Sequence, residues 1–111
     1  MDKTMFGLRL GQLRTLKEKS AREMSLALDQ SPSYINRIEN GKGYPSMQLF
    51  FKMCEYLEIT PSEFFDINLS DPILVRRLNG YIPHLSSEEL KVVLQLCEMI
   101  QNNVTNNSEN K

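Results

Sequence analysis

Apolar residues in this chain recur at intervals of three and four, and no run alternates long enough to make a strand. The spacing predicts helices almost throughout. Phe6, Leu10, Leu13 and Leu16 give one apolar face to a first helix over about residues 4–18, with Arg9 and Arg14 elsewhere on its surface. Ser20 and Glu23 have the separation of a capping box and open a second helix. It carries Met24, Leu26 and Leu28 with small Ser25 and Ala27 between them, and it closes at Asp29-Gln30. The third helix takes Ser31 as its N-cap and Pro32 in first position, where the missing N–H costs nothing. Ile35 and Ile38 face inward on it, while Ser33, Asn36, Arg37 and Asn40 fall on the other side. Gly41 supplies the left-handed stop. Ser46 opens a fourth helix whose inner face is Met47, Phe50, Met53, Cys54 and Leu57. Thr60, Pro61 and Glu63 open a short fifth, with Phe64 and Phe65 packing back.

The stretch "DINLSD" marks a boundary. Beyond it, Asp71-Pro72 starts a helix carrying Ile73, Leu74, Val75 and Leu78, and "NGYIPH" interrupts it. Ser86 and Glu89 form another capping box, opening a last helix to about Asn103. In that helix Leu90, Val93, Cys97, Ile100 and Val104 step by threes and fours, with Leu94 nearby. Val92, Leu96 and Met99 make a second stripe, which leaves only Lys91, Gln95, Glu98 and Asn102 as a polar strip. A helix apolar on most of its surface needs cover on two sides. One side is expected against Ile73, Leu74 and Leu78 or the first helix, the other against a second copy of the chain. Leu90, Val93, Leu94, Leu96, Cys97 and Ile100 are the expected dimerisation residues, and Leu8, on the far side of the first helix, extends that docking surface. The pattern divides the chain into residues 1–66, 67–104 and an asparagine-rich tail, 105–111, expected to lack fixed structure.

Composition narrows the class. With 111 residues, 41% hydrophobic and 24% charged, the chain suits one modest soluble domain plus an appendage. No apolar run reaches membrane-span length, and "MDKTMFGLRL" lacks a signal peptide's apolar core, so a cytoplasmic protein is expected, with no membrane partner. Cys54 and Cys97 both fall in apolar helical patterns and read as reduced core thiols. The net charge of −1 is not that of a typical nucleic-acid binder, but it is unevenly distributed. Residues 1–43 carry eight Lys and Arg against five Asp and Glu, while residues 44–66 carry one against four. No nucleophile–base–orienter set, phosphate loop or metal cluster is present in the sequence, so neither an enzyme nor a cofactor is expected.

Two short helices joined by a tight turn, the second exposing a small polar face, describe a helix-turn-helix. Residues 6–65 resemble the lambda-repressor-like, or XRE-type, helix-turn-helix family of bacteria and phages. The resemblance rests on "SAREMSLALDQSPSYINRIENGKGYPS", within which "SPSYINRIENGK" is close to a recognition-helix signature, and on "PSMQLFFKMCEYLEITPSEFF". It implies an all-α architecture: a five-helix lambda-repressor-like DNA-binding domain followed by a C-terminal helical pair. It also implies a recognition helix at about Ser31 to Asn40, entering the major groove of double-stranded DNA by its N-terminal end. Pro32, Ser33, Tyr34, Asn36 and Arg37 would then face bases or the adjacent backbone. Arg37, whose fork fits the O6 and N7 of guanine, is the foremost reader. Ser31, Asn40, Lys42 and the backbone amides near Ala21 and Ser46 match phosphate contacts. Arg14 and Glu39 match a pair that braces the first helix against the third. Relatives often carry Gln at the place of Ala21 and Gly at those of Glu18 and Asp29, and Lys19 replaces a usual apolar residue. The implied function is a sequence-specific transcriptional regulator, a homodimeric repressor. The alternatives are the antitoxin of a toxin–antitoxin pair and a protein-interaction module on the same fold, either one holding a toxin or antagonist protein.

Overall fold

In the computed structural model, every regular element among the described residues is helical; these are residues 1–109, with side chains described through Val104. The helices are α1 (Lys3–Leu16), α2 (Ala21–Ala27), α3 (Tyr34–Glu39), α4 (Met47–Leu57), α5 (Pro61–Phe65), α6 (Pro72–Tyr81) and α7 (Ser87–Glu109). Met1–Val75 forms one unit, and a second begins at Arg76. None of these helices is long and apolar enough to cross a membrane.

The first unit closes over the positions that the spacing marks as inward. Phe6, Leu10 and Leu13 of α1 meet Met24, Ile35, Ile38, Phe50, Met53, Cys54, Leu57 and Phe64, all buried. At its centre Phe6, Phe50 and Phe64 join α1, α4 and α5, with ring centroids 4.9–5.9 Å apart. Three helix starts carry the expected caps: Ser20 with Glu23 and Thr60 with Glu63 as full boxes, and the Ser46 hydroxyl accepting from Leu49 N–H.

Several expectations are corrected. Arg9 is not a surface residue: it is 3% exposed, beneath α5. Leu16, Leu26, Met47 and Phe65 are exposed. Leu26 stands two residues from both Met24 and Leu28, on the side of α2 opposite the buried Met24, Ser25 and Leu28. Met47 stands in the first turn of α4, at the rim beside Met1, Tyr44 and Phe65. Leu16 ends α1 at the mouth of a shallow apolar cavity lined also by Leu57, Pro72 and Ile73. Pro72 is fully buried and Ile73 packs on the core, so the first unit continues past residue 66.

In the second unit, α6 runs through Asn79 and Gly80 rather than breaking there, and a 3-10 turn, Ile82–His84, follows. Ser86 and Glu89 form the expected reciprocal cap of α7, and the two backbone and hydroxyl bonds to Ser86 hold the Glu89 carboxyl below its ordinary pKa. The helix continues to Glu109, past the end expected near Asn103, so the backbone of 105–109 is helical. Side chains from residue 105 on, and residues 110–111 entirely, fall outside the described residues, as does that much of the expected unstructured tail. Cys97 is exposed rather than a core thiol. Cys54 is buried, and burial pushes its thiol up to about 11.

Candidate nucleic-acid interface

The α2–turn–α3 unit is held by one small buried side chain. The Ser25 hydroxyl donates to the carbonyl of Ala21 at 2.8 Å and accepts the Ile35 N–H at 3.0 Å, which ties the start of α3 to the middle of α2. Composition offers no clue to this role, since a serine inside an apolar pattern reads as filler. α3 itself begins later than Ser31. The carbonyl of Ser31 accepts from Tyr34 N–H at 3.0 Å, and Ser33 has φ −95° and ψ 1°. Ser31–Tyr34 is therefore a type I turn with Pro32 at its second position, and no side chain caps α3. Ser31, Pro32 and Ser33 stay exposed as a loop leading into the helix.

Four successive helices end in the same way. Lys19 N–H bonds the Arg14 carbonyl, Gln30 that of Ser25, Lys42 that of Arg37, and Ile59 that of Cys54, each with the shorter bond inside it. This is the Schellman closure, and it needs a left-handed residue at its turn. The four are Glu18, Asp29, Gly41 and Glu58, with φ between 58° and 75°. Only one is glycine. A side chain in this region costs about 1–2 kcal/mol, somewhat less for Asp. Glu18→Gly and Asp29→Gly are each expected to raise stability by about 0.5–1 kcal/mol. Urea midpoints shifted upward at unchanged slope would confirm this; no shift in the double variant would show that the turns are unstrained.

The outer side of α3 presents Ser33, Asn36, Arg37 and Asn40, all exposed, with Asn40 Nδ2 donating to Asn36 Oδ1 at 3.3 Å. Tyr34 is placed differently from these. It is half-buried and packs on the core, and this burial pushes its hydroxyl pKa up against the opposing effect of Arg37. Pro32 and Ser31 flank the same end, and Lys42 follows Gly41, exposed. Ala21 is half-buried against the core, so its backbone rather than its side chain is available. By helix geometry the first amides of α2 and α4, at Ala21 and Met47, have no intrahelical acceptor and suit phosphate oxygens. Ser46 contributes its cap to the second of these.

Arg14 and Glu39 form a two-pronged pair, Nε to Oε2 at 2.7 Å and Nη2 to Oε1 at 2.8 Å. The Glu39 hydrogen bonds raise the arginine's pKa. Arg14 also donates to the Lys19 carbonyl at 2.8 Å, so it fixes both the end of α1 and the end of α3. Of the basic residues in 1–43, Arg9, Arg14 and Lys17 are engaged within the fold. Glu23 and Asp2 are occupied with helix starts and Glu39 with Arg14. Lys19, Arg22, Arg37 and Lys42 have no carboxylate partner among the described residues. A chain of net charge −1 thus keeps unpaired cations on the helix-turn-helix. Arg22 was missed in the sequence. Its signal is its position, one residue after Ala21 in the first turn of α2.

A short polar-faced helix, braced from behind and ringed by unpaired cations, defines a DNA-binding helix-turn-helix domain. Residues 10–64 match the model of the helix-turn-helix family. Through this segment the chain belongs to that family in its lambda-repressor-like, XRE-type form, a family of DNA-binding transcription regulators. Neither the curated proteins nor the solved structures contain a match to the chain.

Proposed function

We propose that this protein is a sequence-specific double-stranded-DNA-binding repressor that acts as a homodimer. The observation that carries the reading is the exposed row Ser33, Asn36, Arg37 and Asn40 on a helix whose inner side is locked by Ile35, Ile38 and Ser25. Arg37 reads a guanine by its fork, and Asn36 contacts a neighbouring base edge or the backbone. Lys42, Arg22 and the amides at the starts of α2 and α4 set the register on phosphates. Arg22 supplies, from the next position, the phosphate contact that Ala21 lacks. Two copies are needed because one recognition helix reads only a few base pairs, whereas a dyad-related pair reads half-sites about 34 Å apart. The apolar, exposed surface of α7 supports that pairing. Bound across a promoter, such a dimer excludes polymerase.

Site selection from random duplex DNA with the full-length protein, at two salt concentrations, tests the reading. The expected product is a two-fold-symmetric motif with half-sites one helical turn apart. Recovery of salt-sensitive background alone would overturn it. Two variants separate the roles. Arg37→Ala is expected to relax one position of each half-site by about 1–3 kcal/mol. Arg22→Gln is expected to weaken binding equally across sequences and to lower the salt slope by about one. An unchanged motif with Arg37→Ala would remove Arg37 from base reading.

A further inference from the structure

The two ends of α3 are held by different means. Its C-terminal end lies against the backbone of α1, which leaves no room for a Cβ at Gly7, and the Arg14–Glu39 pair clamps the same end. Its N-terminal end, the one that leads toward DNA, has no cap of its own. Ser33, the residue before the helix, has φ −95° and ψ 1°, away from the extended backbone of a capping residue, and its side chain bonds no amide of the helix. The amide of Ile35, second residue of α3, has no acceptor within the helix. Ile35 is fully buried, so water does not reach that amide. A helix of six residues is too short to hold its own shape, so its direction depends on what fastens each end.

The polar fastening of the N-terminal end is the Ser25 hydroxyl, ten residues upstream of Ile35 and 0% exposed. It gives its proton to the Ala21 carbonyl, one turn back in α2. That bond fixes the rotor and leaves an oxygen lone pair directed at the Ile35 N–H. The Ser25 carbonyl meanwhile accepts the Gln30 N–H that closes the turn. Alanine would fit the same space and supply no acceptor. We infer that Ser25 is a positioning residue for sequence reading: acting from α2, it caps the recognition helix and sets the tilt at which Asn36 and Arg37 meet the bases. This rests on the DNA reading proposed above and adds the residue that aims those side chains. Without the bond, α3 pivots on its clamped C-terminal end, and its N-terminal end moves most. The phosphate contacts proposed for Lys42, Arg22 and the first amides of α2 and α4 do not run through this bond. Its loss therefore falls on selectivity rather than on general affinity.

Ser25→Ala in the full-length chain tests this, with affinities measured for the selected operator and for random duplex over a range of salt. Operator affinity is expected to fall about tenfold, while random-duplex affinity stays within about twofold at an unchanged salt slope. Ser25→Cys, which keeps a weak acceptor in the same place, is expected to recover part of the loss. A parallel fall of both affinities in Ser25→Ala would mean only lost folded protein, and an unchanged ratio would mean that the bond aims nothing; either overturns the inference. Ile59→Val, which removes a buried methyl from the turn that ends α4, is the stability control and is expected to keep the native ratio. An equal loss of selectivity there would also overturn the inference. Amide hydrogen exchange checks the bond itself. In the native chain the Ile35 amide is expected to exchange at least about 100-fold more slowly than in a free peptide, and exchange at the free rate would show that the cap is absent. In Ser25→Ala the Ile35 amide is expected to quicken about tenfold more than that of buried Leu10, whereas equal quickening of both would make Ser25 a structural residue only. No motif from the native chain would sink the DNA reading and this inference together. A motif whose selectivity survives Ser25→Ala would sink this inference alone.

Discussion

Replacing Arg9 by Met lowers the unfolding free energy by about 3–5 kcal/mol, a large part of the total for a domain of this size. The guanidinium is buried and each of its three nitrogens donates. Nε donates to the Phe64 carbonyl at 2.6 Å, Nη2 to those of Glu63 and Asp66 at 2.6 and 2.9 Å, and Nη1 to Gln12 Oε1 at 2.8 Å. Three of these acceptors are the last carbonyls around α5, which a five-residue helix cannot satisfy internally. The cation also lies at the negative end of that helix. Desolvation lowers the arginine's pKa and the nearby Asp66 raises it, but an arginine stays charged throughout the accessible range. Methionine would fill much of the volume but take the arginine's N–H groups from all three carbonyls, of which that of Asp66 still accepts the Leu69 N–H. Lysine cannot reproduce the fork, so Arg9→Lys is expected to restore less than half of the loss. Urea unfolding of the three proteins decides it. A loss under 1 kcal/mol in Arg9→Met would mean that the carbonyls find water instead.

The second large effect comes from a single methyl group. Gly7 lies where α1 crosses the end of α3, and a Cβ built there would stand 2.6 Å from the carbonyl oxygens of both Ile38 and Glu39. Both are backbone atoms and cannot rotate away. Gly→Ala within a helix normally gains about 1 kcal/mol, but here the sign reverses, and Gly7→Ala is expected to cost about 2–4 kcal/mol as the helices are pushed apart. Gly11 is the control. Its Cβ would meet the Glu39 carboxylate at 2.8 Å, a side-chain end that is able to shift, though at some cost to its pair with Arg14. Gly11→Ala is therefore expected to fall within about 1 kcal/mol of the native protein. Thermal unfolding separates the two cases, and equal losses would refute the close-crossing argument. Because α3 is displaced in Gly7→Ala, DNA binding by whatever protein remains folded should fall too.

The core and the caps were legible because each depends on residues close together in sequence. Phe6, Leu10 and Leu13 share a face by helical period alone, and Ser20 with Glu23 closes its box within one turn. The candidate site was partly legible for the same reason: Ile35 and Ile38 mark the inside of α3, so Asn36 and Arg37 must lie outside. The start of α3 was misread because Ser-Pro-Ser suits a helix cap and a type I turn equally well. The Ser25 hydroxyl, ten residues upstream of Ile35, takes the amide that decides between them.

Arg9 shows the limit most clearly. Period places it beside Leu10 and Leu13, and its charge argues for solvent; only the arrival of α5, 55 residues later in the chain, supplies carbonyls that make burial favourable. The same holds for Gly7, which looks like a weak point in a helix until α3 lies against it. Met47 fits its apolar stripe and remains exposed, because a stripe defines a direction and not the extent of what covers it. By itself the sequence determined the order of the helices, the caps of α2, α4 and α5, the stop of α3 at Gly41, the central inward residues and the polar face of α3, since these follow from spacing and local hydrogen bonding. Only the tertiary structure decided which polar groups are buried and where backbones touch, because those depend on atoms brought together from distant parts of the chain.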